Sequence, residues 1–224
     1  MLIGIEKRFI FVANTKTAST AIERVLEPLA DYRHGGSPQR KHVALSQIEA
    51  QAPQVFRRAG CGLEGFFKFG VMRDPVQWIW SWFRYRKQPE VESPLPPDMS
   101  FAEFWARRDW NIVRANGARN LQSEKFLSAD RSSVLADVIL PHEDVAQGFT
   151  AICEGLGLGI PALPPANVSR QKSPPDIPAD LIDEVRAHYA EDYALLARLP
   201  DLNLKGMEGL RRRKNNLGRF PLCR

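Results

Sequence analysis

The residues best suited to chemistry in this 224-residue chain begin at Lys16, inside Asn14-Thr-Lys-Thr-Ala-Ser19, where an apolar run ends and a helical pattern starts. Lys16 supplies a mobile positive charge, Thr17, Ser19 and Thr20 supply hydroxyl donors, and small Ala18 lets the backbone approach a ligand closely. A strand that runs into a tight loop and then a helix presents unpaired backbone amides at one point, and these amides with the helix dipole attract a phosphate. The segment lacks the glycines of the nucleotide-triphosphatase loop, so ATP hydrolysis is disfavoured. Taken alone it also admits a plainer account, in which Ser19 or Thr20 caps the helix and Lys16 is a solvated surface charge.

A second segment carries the complementary charge. In Phe67-Lys-Phe-Gly-Val-Met-Arg-Asp-Pro75, Arg73 follows a buried strand and Pro75 suits the first turn of the next helix. Ser81 falls about two turns along that helix, from where it and Arg73 can reach one bound phosphate.

These groups must be positioned by the elements around them. Phe9 to Ala13 and Phe66 to Met72 are strand-like, as is Val134 to Leu140, and Ile22, Val25, Leu26 and Leu29 recur at helical spacing. Leu45, Ile48, Ala52 and Val55 predict a second helix, Ser100-Phe-Ala-Glu103 a capping box opening a helix through about Asp109, and Glu143 to Leu156 and Ile177 to Leu199 two more. Pro89, Pro94, Pro96 and Pro97 make 88–99 an exposed loop, able to act as a lid. The alternation of strand and helix indicates an α/β domain over residues 1–200 with a mainly parallel sheet. The basic run Arg211-Arg-Arg-Lys214 marks 201–224 as a mobile tail or accessory arm.

Composition narrows the classes. Apolar residues at 44% and charged residues at 25% are ordinary globular usage, which argues against disorder and fibrous repeats. A net charge of +5 implies an anionic partner without naming one. Cys61, Cys153 and Cys223 are widely spaced and predict reduced thiols, with no metal site. The first strand begins so near the N-terminus that neither a signal peptide nor a membrane span is expected, and a cytoplasmic location follows.

Thr15-Lys-Thr-Ala-Ser-Thr20 resembles the 5′-phosphosulfate loop of the sulfotransferases that use 3′-phosphoadenosine 5′-phosphosulfate (PAPS), and Val71-Met-Arg-Asp-Pro75 through Ser81 resembles their 3′-phosphate motif. Asn120-Leu-Gln122, Val138 to Asp144, Asn167 to Lys172 and Tyr189-Ala-Glu-Asp-Tyr193 are similar to later family segments, so the resemblance runs from about residue 9 to 199. It implies a phosphate-loop, three-layer α/β/α fold and direct sulfuryl transfer from PAPS, leaving adenosine 3′,5′-bisphosphate, to a hydroxyl or amine acceptor, with a carbohydrate hydroxyl preferred. It also implies that Lys16 meets the bridging oxygen and sulfuryl group, Thr17, Ala18, Ser19 and Thr20 hold the 5′-phosphate, and Arg73 and Ser81 hold the 3′-phosphate. His42 resembles the general base of some carbohydrate sulfotransferases, with His34 an alternate, and Arg170 and Lys172 resemble the basic loop that closes over the nucleotide. Thr15 stands where the family has proline and Ser19 where it often has glycine, so a positive φ at Ser19 would strain the loop. A kinase-like nucleotide enzyme and a non-catalytic anion-binding protein on the same scaffold are the competing readings.

Overall fold

A computed structural model of the chain describes residues 1–159, 163 and 177–216. Five strands form one sheet: β1 (Leu2–Gly4), β2 (Phe9–Val12), β3 (Tyr32–Arg33), β4 (Phe67–Met72) and β5 (Val138–Pro141), in the order β3-β1-β2-β4-β5. The helices are α1 (Ser19–Leu26), α2 (Pro38–Lys41), α3 (Leu45–Gln51), α4 (Pro53–Ala59), α5 (Pro75–Arg86), α6 (Phe101–Arg107), α7 (Val145–Gly155), α8 (Ala179–His188), α9 (Ala190–Leu196) and α10 (Leu199–Asn216). Among the described residues no helix is long and apolar enough to cross a membrane.

The protein is α/β, but its sheet is mixed where a mainly parallel one was expected. β2 pairs parallel with β4 and β4 with β5, whereas β1 pairs antiparallel with both β2 and β3. The cause is the extreme N-terminus: Leu2-Ile-Gly is too short to announce a strand, yet it folds back on Phe9–Phe11 through a tight hairpin in which Arg8 takes φ 54°. Asp31 Oδ2 fixes that hairpin by accepting from Ile5 N–H at 2.6 Å and Glu6 N–H at 3.2 Å.

Strand alternation sends successive side chains to opposite faces, and each face has its own core. Phe9, Phe11, Phe69 and Val71 pack with Ile22 and Leu26 of α1 and Phe149 and Ile152 of α7. Ile10, Val12 and Met72 pack on the other side with Leu45 and Ile48 of α3, Val55 of α4 and Leu199 of α10. A third cluster, built from Trp78, Ile79 and Phe83 of α5, Phe104 and Trp105 of α6, and Val185 of α8, joins those helices to one another.

Several helix signals act as anticipated. Pro75 occupies the first turn of α5, where its missing N–H costs nothing, and Asp74 accepts from Gln77 N–H as the cap. Ser100 and Glu103 form the reciprocal capping box of α6, which ends at Arg107 because Arg108 turns left-handed at φ 51°. The single helix expected across Leu45 to Val55 is two, since Pro53 cannot continue α3 and instead starts α4. The span Ile177 to Leu199 is likewise divided, between α8, α9 and the start of α10.

The basic segment expected to leave the fold at residue 201 is part of it as far as Asn216. α10 covers the edge strand β5: Asn203 Oδ1 accepts from Ile139 N–H and its Nδ2 donates to Ile139 C=O, both at 2.8 Å. This side chain satisfies backbone groups that an open edge would expose. Gly206 permits the approach, because a Cβ there would lie 2.0 Å from the Asp137 carbonyl oxygen, and Leu210 is buried against Gly155 of α7. Gly206→Ala should therefore force α10 away from β5 and cost about 2 kcal/mol. A urea denaturation midpoint unchanged by the substitution would show that this packing does not contribute.

Candidate functional site

The loop after β2 is held from three sides. Asn14 is buried, and its Nδ2 donates to Val71 C=O at 3.1 Å and to Gln122 Oε1 at 3.2 Å, while its Oδ1 accepts from Thr15 N–H at 2.9 Å. Trp78 of α5 donates its indole N–H to Thr15 C=O at 2.8 Å. Thr17 Oγ1 donates to Asn14 C=O at 3.1 Å, so this hydroxyl serves the loop itself rather than a ligand.

Within that frame the backbone alternates in handedness. Lys16 has φ 57° and Ala18 φ 60°, while Ser19, suspected of strain on sequence grounds, is simply the first residue of α1. Such alternation turns successive N–H groups toward one concavity and makes an anion nest. Each left-handed non-glycine residue costs about 1 kcal/mol or more, which persists only where neighbours over-determine the conformation. Among the described residues the N–H groups of Lys16, Ala18, Ser19 and Thr20 donate to no acceptor in the protein. No side chain caps α1 and no acid lies in its first turn, so the plain capping account of Ser19 and Thr20 does not hold.

Cations surround this concavity. Burial, then Arg73 and Arg84, push the Lys16 ammonium down to about 8. Arg73 directly follows β4, and its Nε is buried with no acceptor among the described residues. Its backbone is clamped by Gln122, whose Oε1 accepts from Arg73 N–H at 3.0 Å and whose Nε2 donates to Arg73 C=O at 2.8 Å. Ser81 shares the i, i+3, i+4, i+7 stripe of Trp78, Trp82 and Tyr85 on α5. Trp78 contacts the loop at Thr15, and Trp82 and Tyr85 contact it through Lys16, so this stripe is the one α5 turns to the loop after β2.

His42 is tied to the same corner. Its Nδ1 lies 2.6 Å from Ala13 C=O, and since a carbonyl only accepts, Nδ1 carries the proton and Nε2 keeps its lone pair. Burial, with Lys41 and Lys125 nearby, pushes this imidazole down to about 4. It neither caps α3, whose N-cap is Ala44, nor sits free on the surface. His34 is excluded from the site by its bonds: Nδ1 meets Tyr32 Oη at 3.0 Å and Nε2 meets Gln51 Oε1 at 2.9 Å, at the β3 edge of the sheet. Arg170 and Lys172 lie outside the described residues.

Four contributors escaped the reading of the sequence. Gln122 links Asn14 to Arg73, and Asp192 in turn holds Gln122 by accepting from Gln122 N–H at 3.0 Å and Ser123 N–H at 2.8 Å. Burial raises the Asp192 carboxyl despite those two donors. Lys125 donates to His42 C=O, and burial with Arg114 close by pushes its ammonium down to about 8. His142 follows β5 where Pro141 is in register with Met72, which brings it beside Arg73, and burial with that charge pushes it down to about 4. Gln122, His142 and Asp192 sit in segments with a recognisable pattern, and nothing in those patterns announces a clamp.

Cys61 and Cys153 are free thiols, the latter pushed up to about 12 by burial. Among the described residues no group of three or more His, Cys, Asp or Glu is arranged to hold a metal ion. Comparison with protein-family models, with curated proteins and with solved structures found no match to this chain.

Asp192→Ala would leave the amides of Gln122 and Ser123 without an acceptor inside the core, at a cost of about 3 kcal/mol. Asp192→Asn, which retains one acceptor oxygen, should lose clearly less. Equal losses in thermal or urea denaturation would mean that the clamp does not depend on those two bonds.

Proposed function

We propose that this protein is a PAPS-dependent sulfotransferase on a phosphate-loop α/β scaffold, transferring a sulfuryl group to a hydroxyl acceptor of carbohydrate type. The observation that carries the reading is the union of two features: amides at the start of α1 with no acceptor among the described residues, and beside them the Lys16 ammonium, which burial and then the Arg73 charge push down. Two like charges held together in a half-buried place cost stability, and a ligand bearing phosphate or sulfate groups would offset that cost. The unpartnered Arg73 Nε fits the same purpose. The resemblance of both segments to the family's phosphate motifs supplies the identity of the ligand.

PAPS supplies an activated sulfuryl group on a phosphate leaving group. In this reading the amides of Ala18, Ser19 and Thr20 hold the 5′-phosphate, and Arg73 with Ser81 holds the 3′-phosphate. Lys16 meets the charge that develops on the bridging oxygen as its bond to sulfur breaks. His42 Nε2 takes the acceptor's proton as the acceptor oxygen forms its bond to sulfur. An imidazole held near 4 is a weak base, an observation that favours the second reading, anion binding without turnover.

Calorimetric titration separates these possibilities. Adenosine 3′,5′-bisphosphate should bind at least tenfold more tightly than 5′-AMP, the difference vanishing in Arg73→Ala. Equal affinities for the two nucleotides in the unsubstituted protein would remove the two-phosphate reading. With PAPS and an accepted hydroxyl compound, Lys16→Ala should lower kcat by roughly a hundredfold or more, whereas His42→Gln should abolish turnover without weakening bisphosphate binding. Measured binding without turnover across an acceptor screen would select the non-catalytic alternative.

The pH dependence follows from the two shifted groups. His42 works unprotonated, so kcat/KM should rise with pH through a limb near 4, and Lys16 works protonated, so it should fall through a limb near 8. Lys16→Arg keeps its charge at every accessible pH and should move the alkaline limb upward. An alkaline limb unmoved by that substitution would assign it to another group.

A further inference from the structure

Lys16 poses a physical problem. Among the described residues it forms no ion pair, and the charged groups that act on it, Arg73 beyond β4 and Arg84 on α5, are both cations. A half-buried ammonium in that setting would tend to lose its proton or swing away into solvent. Its Nζ instead lies 4.1 Å from the centroid of the Tyr85 ring and 5.8 Å from that of Trp82. Trp82 is nearly buried and meets Tyr85 edge to face at 5.8 Å, so the tyrosine ring is backed by a fixed partner.

We propose that Tyr85 is the positioning residue for Lys16, its ring face standing in for a carboxylate counter-ion and holding the ammonium beside the loop until an anion arrives. The chemistry explains why a ring serves where an acid would not. A carboxylate would neutralise Lys16 permanently and repel an incoming phosphate or sulfate. The negative face of an aromatic ring attracts the cation through its quadrupole and adds no net charge, so the concavity stays electropositive. The attraction is also weak enough for a full anionic charge to displace it. Spacing agrees, because Tyr85 extends the Trp78, Ser81, Trp82 stripe by one residue pair, toward the end of α5 that Lys16 reaches. The proposal rests on the anion-binding part of the function proposed above and not on sulfuryl transfer.

The test is a titration of the Lys16 ammonium by 15N-lysine NMR, the signal assigned by its loss in Lys16→Arg. Tyr85 is 38% exposed, so replacing it disturbs little packing. In Tyr85→Leu the midpoint should fall by about half a unit to one unit, and Tyr85→Phe, which keeps the ring face, should hold it at the unsubstituted value. An unchanged midpoint in Tyr85→Leu, or an equal fall in Tyr85→Phe, would overturn the proposal. Binding gives a second readout. Tyr85→Leu should nearly match the unsubstituted protein for adenosine 3′,5′-bisphosphate at about pH 6.5 and bind it roughly three- to eightfold more weakly at about pH 8.5, where the variant keeps a several-fold smaller charged fraction of Lys16 than the unsubstituted protein does. Equal losses at both values would indicate a steric role and count against it. Should the unsubstituted protein fail to bind the bisphosphate, the proposed function falls, while the NMR titration still decides the part played by Tyr85.

Discussion

Everything at the candidate site depends on one side-chain amide. Gln122 lies between the ends of two parallel strands and bonds both: Asn14 after β2 on one side, the N–H and C=O of Arg73 after β4 on the other. Parallel strands splay where their ladder ends, and the backbone groups there would ordinarily turn to water. The clamp keeps the two loops together over the last residues, and Asp192 fixes the clamp from behind through two backbone amides. The result is that Lys16 and Arg73, more than fifty residues apart in the chain, are held in one place by neutral hydrogen bonds that do not consume their charge.

That economy of counter-charge distinguishes the site from the rest of the surface. Elsewhere many arginines are paired, as Arg119 and Arg131 are with Glu191 and Arg114 is with Glu124. Around the loop cations dominate: Lys16 is acted on by Arg73 and Arg84, His42 by Lys41 and Lys125, and His142 by Arg73, which itself has Asp74 and Glu143 near it. A fold selected only for stability would not accumulate lowered ammonium and imidazole groups at the ends of its central strands. The cost is carried by the two large cores on either side of the sheet, which are built on the same β2, β4 and α1 whose ends form the site.

How much of this the sequence discloses depends on the range of the interaction. Local signals translated directly: the apolar run at Phe9, Pro75 opening α5, and Ser100 with Glu103 capping α6 each express contacts within one turn. The loop after β2 stands out in the sequence by residue type and order, but its geometry does not, since the left-handed positions fall on Lys16 and Ala18 and the Thr17 hydroxyl bonds Asn14. Long-range placement was hidden. Three residues of β1 become a strand only by pairing with Phe9–Phe11, and the basic run after Pro200 becomes a packed helix only because Gly206 can meet the backbone of Asp137. Gln122, Asp192 and Lys125 act across 49 to 108 positions, a separation at which residue type carries no directional information.

The aromatic face of α5 shows why core and site cannot be separated in this protein. Trp78, at 1% exposure, is a core residue by any measure, yet its one polar atom fixes the carbonyl that precedes Lys16. Trp82 is nearly as buried and backs the ring on which the Lys16 ammonium rests. One helical stripe thus anchors the loop backbone at its first turn and supports the loop's charge at its last, with Ser81 between. Rigid indoles suit both tasks, because a side chain with two rotatable bonds and many packing partners transmits position without the entropy cost of a flexible chain. The strain at Lys16 and Ala18 survives for the same reason: the bonded pair Asn14 and Gln122 holds the loop from one side and Trp78 from another, so relaxing either left-handed residue would break bonds worth more than the strain relieved.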